Sequence, residues 1–272
     1  MAAGRRVGES LGIVWPQLRF APRLLVVALT GLGLIPWLAY LSFYPGAMDA
    51  HAYFVAHTPL YDATMGSPDA FLYSPAFSQL VEPLRWLGWE SFRSAVRLAD
   101  LAAMTVMTGP LIGPLLFVHP VSLEFNLANI HPLMGLAIVA GFRWPAAWAF
   151  VLLTKVTPGI GLLWFVVRRE WRKAAIAAGA TAAVVAVSFL LSPADWLAWS
   201  AFLLADQARP EGSFVLVTAP LLLRLPVAAA LVVWGALTDR RWTVLVAAFL
   251  ALPSVWEHSV TMLLGLWLLR RR

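Results

Sequence analysis

The sequence predicts an all-α polytopic membrane protein, a bundle of about eight to ten transmembrane helices with short broken helices among them. Three observations carry this. Hydrophobic residues make up 61% of the 272 positions and charged residues 12%, and the mean hydropathy is +0.77, far from the values of soluble domains. A hydrocarbon core takes about 20 apolar residues to cross, so a chain of this length holds little besides spans. Finally, Lys and Arg fall in short clusters between apolar runs: Arg5, Arg6, Arg19 and Arg23; Arg93 and Arg97; Arg168, Arg169, Arg172 and Lys173; Arg240 and Arg241; Arg270, Arg271 and Arg272. That is the positive-inside pattern, and it accounts for the net charge of +6 without nucleic acid. Residues 1–272 read as one membrane domain.

The elements follow in order. Residues 1–23 are a basic cytoplasmic leader, amphipathic around 11–20. Residues 24–43 form the first span, too long for the core of a cleaved signal and read as retained. Residues 44–70 are an outer loop rich in carboxylates and aromatics, the expected catalytic loop. Residues 71–87 return, with Pro75 and Pro83 making part of that segment interfacial. Residues 90–97 are then expected inside, and 98–118 cross outward. The second outer segment, 119–131, precedes three stretches of about ten residues: 132–141, 145–154 and 159–167. At 1.5 Å per residue each covers about 15 Å, roughly half a bilayer. Lys155 lies at the apex between the last two, where irregular backbone must line protein or a water-filled cavity. Residues 174–191 cross outward to a third outer segment, 192–213, and 214–237 return, kinked by Pro220 and Pro226. The short stretches 242–252 and 260–269 flank a last apex at 253–258. Both termini are expected in the cytoplasm of a multi-pass cell-membrane protein, with the polar apexes and loops converging on the extracytoplasmic face.

Several residues suit chemistry there. Asp49, just past the first span, suits a general base that takes a proton from an acceptor hydroxyl, or a helix N-cap. Asp62 and Asp69 sit in turn contexts. Lys155 is an ammonium in an apolar stretch, a functional hypothesis by default, with a lipid phosphate as its anion; snorkelling or pairing with Glu124 or Glu257 is the alternative. Glu257 and His258 sit at a helix break, and an imidazole there can donate to phosphate. Asn126, Asn129 and His131 suit sugar hydroxyls or helix capping. A metal site from Asp49, His51, His57 and Asp62 matches no standard spacing, and no metal or other cofactor is expected. The chain has no cysteine, which excludes disulfides and thiol chemistry. Glycine-rich phosphate loops are absent too.

Asp49-x-x-x-Tyr53, Leu60-Tyr61 and Leu72-Tyr73-Ser74-Pro75 together resemble the opening loop of glycosyltransferase family 87, polyprenyl-phosphate-sugar-dependent enzymes of the GT-C superfamily. Asn126-Leu-Ala-Asn129 stands where that family has Gly-Gln-x-Asn, with Glu124-Phe125 in place of the Gly-Gln. Lys155-Val-Thr-Pro158, followed by Trp164 and Arg168-Arg169-Glu-Trp171, looks like the family's Lys-Pro segment and basic loop. Pro253-Ser-Val-Trp256-Glu-His258 is similar to its Ser-Pro-x-x-Trp-x-His-His motif, with Ser259 in place of the second His. The resemblance implies transfer of a hexose, mannose foremost, from a polyprenyl-phosphate donor to a lipid or glycan acceptor, with inversion. It implies Asp49 as base, Lys155 and His258 on the donor phosphate, and Tyr53, Tyr61, Tyr73, Asn126, Asn129, His131 and Glu257 around sugar and acceptor. Two other classes stand beside it: a lipid or sugar transporter, for which the chain shows no clear inverted repeat, and a non-catalytic membrane assembly subunit.

Overall fold

A computed structural model describes residues 46–63, 69–205 and 215–269. The expected leader at 1–23 and first span at 24–43 lie outside the described residues, as do 270–272 and parts of the first and third outer segments. The described chain is 76% helical with almost no sheet. In order it forms α1 (Met48–Val55), α2 (Pro75–Arg85), α3 (Trp89–Thr108, continued through a 3-10 turn to Leu115), α4 (His119–Leu127), α5 (His131–Gly141) and α6 (Trp148–Thr154). A 3-10 stretch, Thr157–Leu162, leads into α7 (Leu163–Val167), followed by α8 (Trp171–Leu191), α9 (Pro193–Leu204), β1 (Val215–Val217), α10 (Leu221–Leu237), α11 (Trp242–Leu250) and β2 (Val255–Trp256). A second 3-10 stretch, Glu257–Gly265, ends in α12 (Leu266–Leu269).

Two of these helices, Trp89–Leu115 and Trp171–Leu191, are long and apolar enough to cross a membrane; α4 and α5, bent by 101° at their break, make a third if taken as one span. The α8 helix shows why. Its 21 residues cover about 30 Å at 1.5 Å per residue, the thickness of the hydrocarbon core. Val184, Val187, Leu190 and Leu191 stay exposed along it, as a lipid-facing surface requires. Pro193 at the first turn of α9 stops the helix, and the Trp196 indole donates to Ser188 Oγ across the corner, 2.9 Å.

The short stretches are half-length helices sharing two ends. At one end gather the basic residues. Arg168 pairs with Asp239, 2.8 Å, Lys173 with Glu170, 2.7 Å, Arg240 lies over the Trp234 ring and Arg241 over the Phe142 ring. At the other end α5, α6, α11 and the Glu257–Gly265 stretch present His131, Lys155 and residues 253–258. Helix ends inside an apolar bundle leave carbonyls that need donors. Arg224 supplies them for α11: its guanidinium donates to the carbonyls of Ala219 (2.8 Å), Leu250 (2.6 Å), Leu252 (2.8 Å) and Pro253 (3.0 Å). The two-stranded ribbon, Val215 opposite Trp256 and Val217 opposite Val255, joins the start of the expected return at 214–237 to the same apex. Packing is tight where α5 crosses that last stretch: a Cβ on Gly135 would collide with the Met262 carbonyl.

One sequence expectation is corrected. Residues 71–87 do not cross to the other side, and 90–97 is not an inner loop. Both ends of α2 reach the same residue of α1: Tyr73, just before it, shares a hydroxyl–hydroxyl hydrogen bond with Tyr53 (3.0 Å), and Arg85 at its end donates to the Tyr53 carbonyl (2.9 Å). Trp89 then packs edge-on against the His51 ring, 5.0 Å, and Phe92 against Phe54, 5.4 Å. At 11 residues α2 is too short to span. The residues 90–97 are the first turns of α3, with Arg93 and Arg97 buried. Burial of their guanidiniums in the fold, rather than retention in the cytoplasm, explains this basic pair.

This makes a test of sidedness, convenient in a cysteine-free chain. Single cysteines at the exposed positions His57 and Ser91 are expected to react with an impermeant thiol reagent from one side of the membrane. A cysteine at Arg240 should react only from the other. Labelling of Ser91→Cys together with Arg240→Cys would restore the crossing at 71–87.

Candidate active site

The site forms where the α1 segment meets the tips of the half-length helices. Asp49 lies in the first turn of α1, where a carboxylate complements the helix dipole. The N-cap position is Ala47, in left-handed conformation with no side-chain cap bond, so Asp49 is not the cap. Its Oδ2 instead accepts from Asn129 Nδ2 at 2.9 Å, across 80 residues of chain. Asn129 is held in that orientation because its Oδ1 accepts from the Ile130 N–H, 2.7 Å. The left-handed Ala128 that ends α4 turns the chain into this position. Burial pushes the Asp49 carboxyl above its ordinary range, against the opposing pull of the Asn129 hydrogen bond and the Lys155 ammonium.

Two residues beyond Asn129, His131 is fully buried. Its Nδ1 lies 3.1 Å from Glu124 Oε2, and its backbone N–H donates to Glu124 Oε1, also 3.1 Å. Its Nε2 lies 2.9 Å from Lys155 Nζ and 3.2 Å from Ser259 Oγ. Lys155 occupies the C-cap of α6, in extended backbone, which swings its side chain out of the helix and toward α5. His258 is buried, its ring 5.3 Å from that of His131, and both its ring nitrogens lack hydrogen-bond partners among the described residues. The loops 44–70 and 119–131 and the apexes at 155 and 253–258 thus contribute Asp49, Asn129, His131, Lys155 and His258 to one polar cluster.

The remaining sequence candidates fall elsewhere. Tyr53 and Tyr73 are buried with their hydroxyls on one another, and Tyr61 donates to the Tyr73 carbonyl, 2.6 Å, while stacking on Phe202. With Phe71 and Phe77 they make the aromatic core of the outer loop, and Tyr53 and Tyr73 lie within electrostatic reach of Asp49. The Asn126 backbone carbonyl accepts from Arg97, 3.2 Å, while its side-chain Oδ1 is buried without a hydrogen-bond partner among the described residues. Glu257 pairs with His119, 2.8 Å, on the surface. Asp69, a turn residue with φ of 67°, pairs with His51 at 2.6 Å, and Asp195 accepts from Thr58, 2.9 Å. His51 and Asp49 therefore have different partners, and no shared ion site forms between them.

The sequence reading left one group out and offered another only as a partner for Lys155. Asp100, in α3, is fully buried, has no hydrogen-bond partner on either oxygen among the described residues, and lies within electrostatic reach of Asp49. The rule that singles out Lys155, an ionisable group in an apolar run, also singles out Asp100 in Leu98-Ala-Asp100-Leu. The second is Glu124, whose carboxylate organises His131. Glu124, His131 and His258 bring one potential ligand atom each to within 4.8 Å of one another, a donor set of the kind zinc takes. A cation there would take one His131 ring nitrogen, either from Glu124 or from Lys155.

The described residues thus combine apolar, broken helices of membrane character with a buried cluster of ionisable side chains. The model of glycosyltransferase family 87 matches residues 71–256, more than half of the chain, and the chain belongs to that family. It is a glycosyltransferase. Asn129, His131 and Lys155 lie within the matched residues; Asp49 precedes them and His258 follows them. No curated protein and no solved structure matches the chain.

Asp100 generates a stability test. A buried, unpartnered carboxylate is costly to the fold, and an amide of the same shape costs less. The melting temperature of Asp100→Asn in detergent is expected to equal or exceed that of the parent. A fall of more than about 5 °C, near 2 kcal/mol for a chain of this size, would show that the fold uses the carboxylate charge.

Proposed function

We propose that the chain transfers a hexose, most readily mannose, from a polyprenyl-phosphate donor to a lipid or glycan acceptor. The observation that carries this reading is the cluster itself. Asp49 is oriented by Asn129 on one side, and on the other stand the Lys155 ammonium and a His258 ring with unused nitrogens. A leaving lipid phosphate gains negative charge as the anomeric carbon becomes oxocarbenium-like. A cation and an N–H donor aimed at that phosphate lower the barrier most if they are in place beforehand. Asp49 takes the proton of the acceptor hydroxyl as its oxygen bonds to the anomeric carbon and the phosphate departs. A single displacement of this kind inverts that carbon.

The half-length helices support a lipid-borne donor. From the basic end, α5 rises through 11 residues, about 16 Å, so its tip lies about halfway through a bilayer. A phosphate anchored by a prenyl chain is carried at the membrane, within reach of such a depth. The clustering of Arg168, Lys173, Arg240 and Arg241 at the opposite end favours an extracytoplasmic site and a multi-pass cell-membrane location by the positive-inside rule. No step of this mechanism calls for a metal ion or another cofactor.

Two measurements test it. With purified protein, a synthetic polyprenyl-phosphate mannose and a glycolipid acceptor, Asp49→Asn should fold and bind donor while transfer falls by about 10²–10⁴, the usual loss for a general base. Wild-type transfer by this variant would remove Asp49 from the chemistry. The second reads pH. Because burial raises the Asp49 carboxyl, transfer should fall as acid protonates it at a pH above the ordinary carboxylate range. Asn129→Ala removes a pull that lowers it, so the acid limb should move to higher pH. A limb that stays in place would mean another group controls it.

A further inference from the structure

We infer that Glu124 and His131 form a buried carboxylate–imidazole relay that positions the Lys155 ammonium for the donor phosphate. The inference rests on the proposed role of Lys155 and adds two positioning residues to it.

The relay has Glu124 ionised, and the hydrogen-bond directions follow from that. An ionised carboxylate only accepts, so the contact between Glu124 Oε2 and His131 Nδ1 (3.1 Å) puts the imidazole proton on Nδ1. The lone pair of the neutral ring then lies on Nε2. Both groups found there, the Lys155 ammonium at 2.9 Å and the Ser259 hydroxyl at 3.2 Å, can donate. With the other tautomer, or a doubly protonated ring, an N–H would point at an ammonium. The chain from Glu124 through His131 to Lys155 therefore runs in one direction, and each member has the only role open to it.

Glu124 is suited to its part. It is fully buried, and its two oxygens grip His131 at both the ring and the backbone N–H, fixing position as well as tautomer. Its charge lies within electrostatic reach of Lys155 and offsets an ammonium that an apolar bundle would otherwise exclude. One Lys155 N–H is spent on Nε2, and the ammonium keeps two more. These are directed by the anchor rather than free to swing on a flexible four-carbon stem.

The experiment measures binding of polyprenyl phosphate and of uncharged polyprenol to the full-length protein in detergent, alongside KM and kcat for transfer. Glu124→Gln and His131→Phe should weaken polyprenyl-phosphate binding and raise donor KM by on the order of 10–100-fold, the worth of a hydrogen bond to a charged group. Polyprenol binding should change less than about twofold, which a general loosening of the fold would not allow. His131→Gln returns an acceptor near the Nε2 position and should recover part of the loss; it also serves if His131→Phe does not fold. Lys155→Ala separates the two levels. If Lys155→Ala binds polyprenyl phosphate as the parent does, the donor-phosphate reading fails. If Lys155→Ala loses binding while Glu124→Gln and His131→Phe keep it, the relay alone is overturned. Phosphate binding that a chelator abolishes and zinc restores would also overturn it, because a metal on His131 takes either Nδ1 from Glu124 or Nε2 from Lys155.

Discussion

An ammonium placed at the tip of a half-length helix, inside an apolar bundle, must be met by acceptors or not be there at all. Lys155 is met by one imidazole nitrogen, His131 Nε2, and Glu124 holds the other side of the ring. The requirement propagates outward. For His131 to stand at the first turn of α5, the chain must break after α4; the left-handed Ala128 makes that break, bringing Asn129 to Asp49. A single bent connection, residues 124–131, thus anchors both the ammonium and the carboxylate. The distance between the two chemical groups is set by one short, rigid piece of backbone.

Half-length helices create the room for such a site and also its main liability. Each tip exposes carbonyls where water is scarce, and unmet backbone groups are costly there. The solutions differ with the tip. Arg224 closes α11 through hydrogen bonds to the carbonyls of Leu250, Leu252 and Pro253, and the Leu153 carbonyl near the end of α6 accepts from Ser74 Oγ, 2.5 Å. The second contact links the tip that carries Lys155 to the start of α2, so the outer loop and the bundle hold one another in place. The aromatic packing of Tyr53, Tyr73 and Phe77 makes that loop a solid support for α1 and hence for Asp49.

Glu124, His131 and Asp100 together put more ionisable groups in the interior than a span needs. Burial of this kind weakens the resting fold unless each group is paired. Glu124 and His131 are paired, and their role is geometric. The Asp100 carboxylate and the His258 ring make no hydrogen bond among the described residues, and His258 Nε2 lies 4.0 Å from Glu124 Oε2.

How much of this could be read from the chain alone follows from what a linear pattern encodes. Composition and the spacing of charges specify the solvent of each segment, so the apolar bundle, the half-length stretches and the apexes at Lys155 and 253–258 were legible. A charge in an apolar run is conspicuous, which is why Lys155 stood out and why Asp100 should have. What the pattern does not encode is direction around a helix axis and pairing across the bundle. The residues 71–97 have the composition of a return and an inner loop; only the meeting of Tyr73 and Arg85 with Tyr53 shows that the chain stays on one side. Likewise the hydrogen bond between the Tyr53 and Tyr73 hydroxyls is invisible in the sequence. The link between Glu124, His131 and Lys155 depends on three side chains from two parts of the sequence converging at a bend of 101°, an angle that hydropathy cannot express and tertiary packing alone decides.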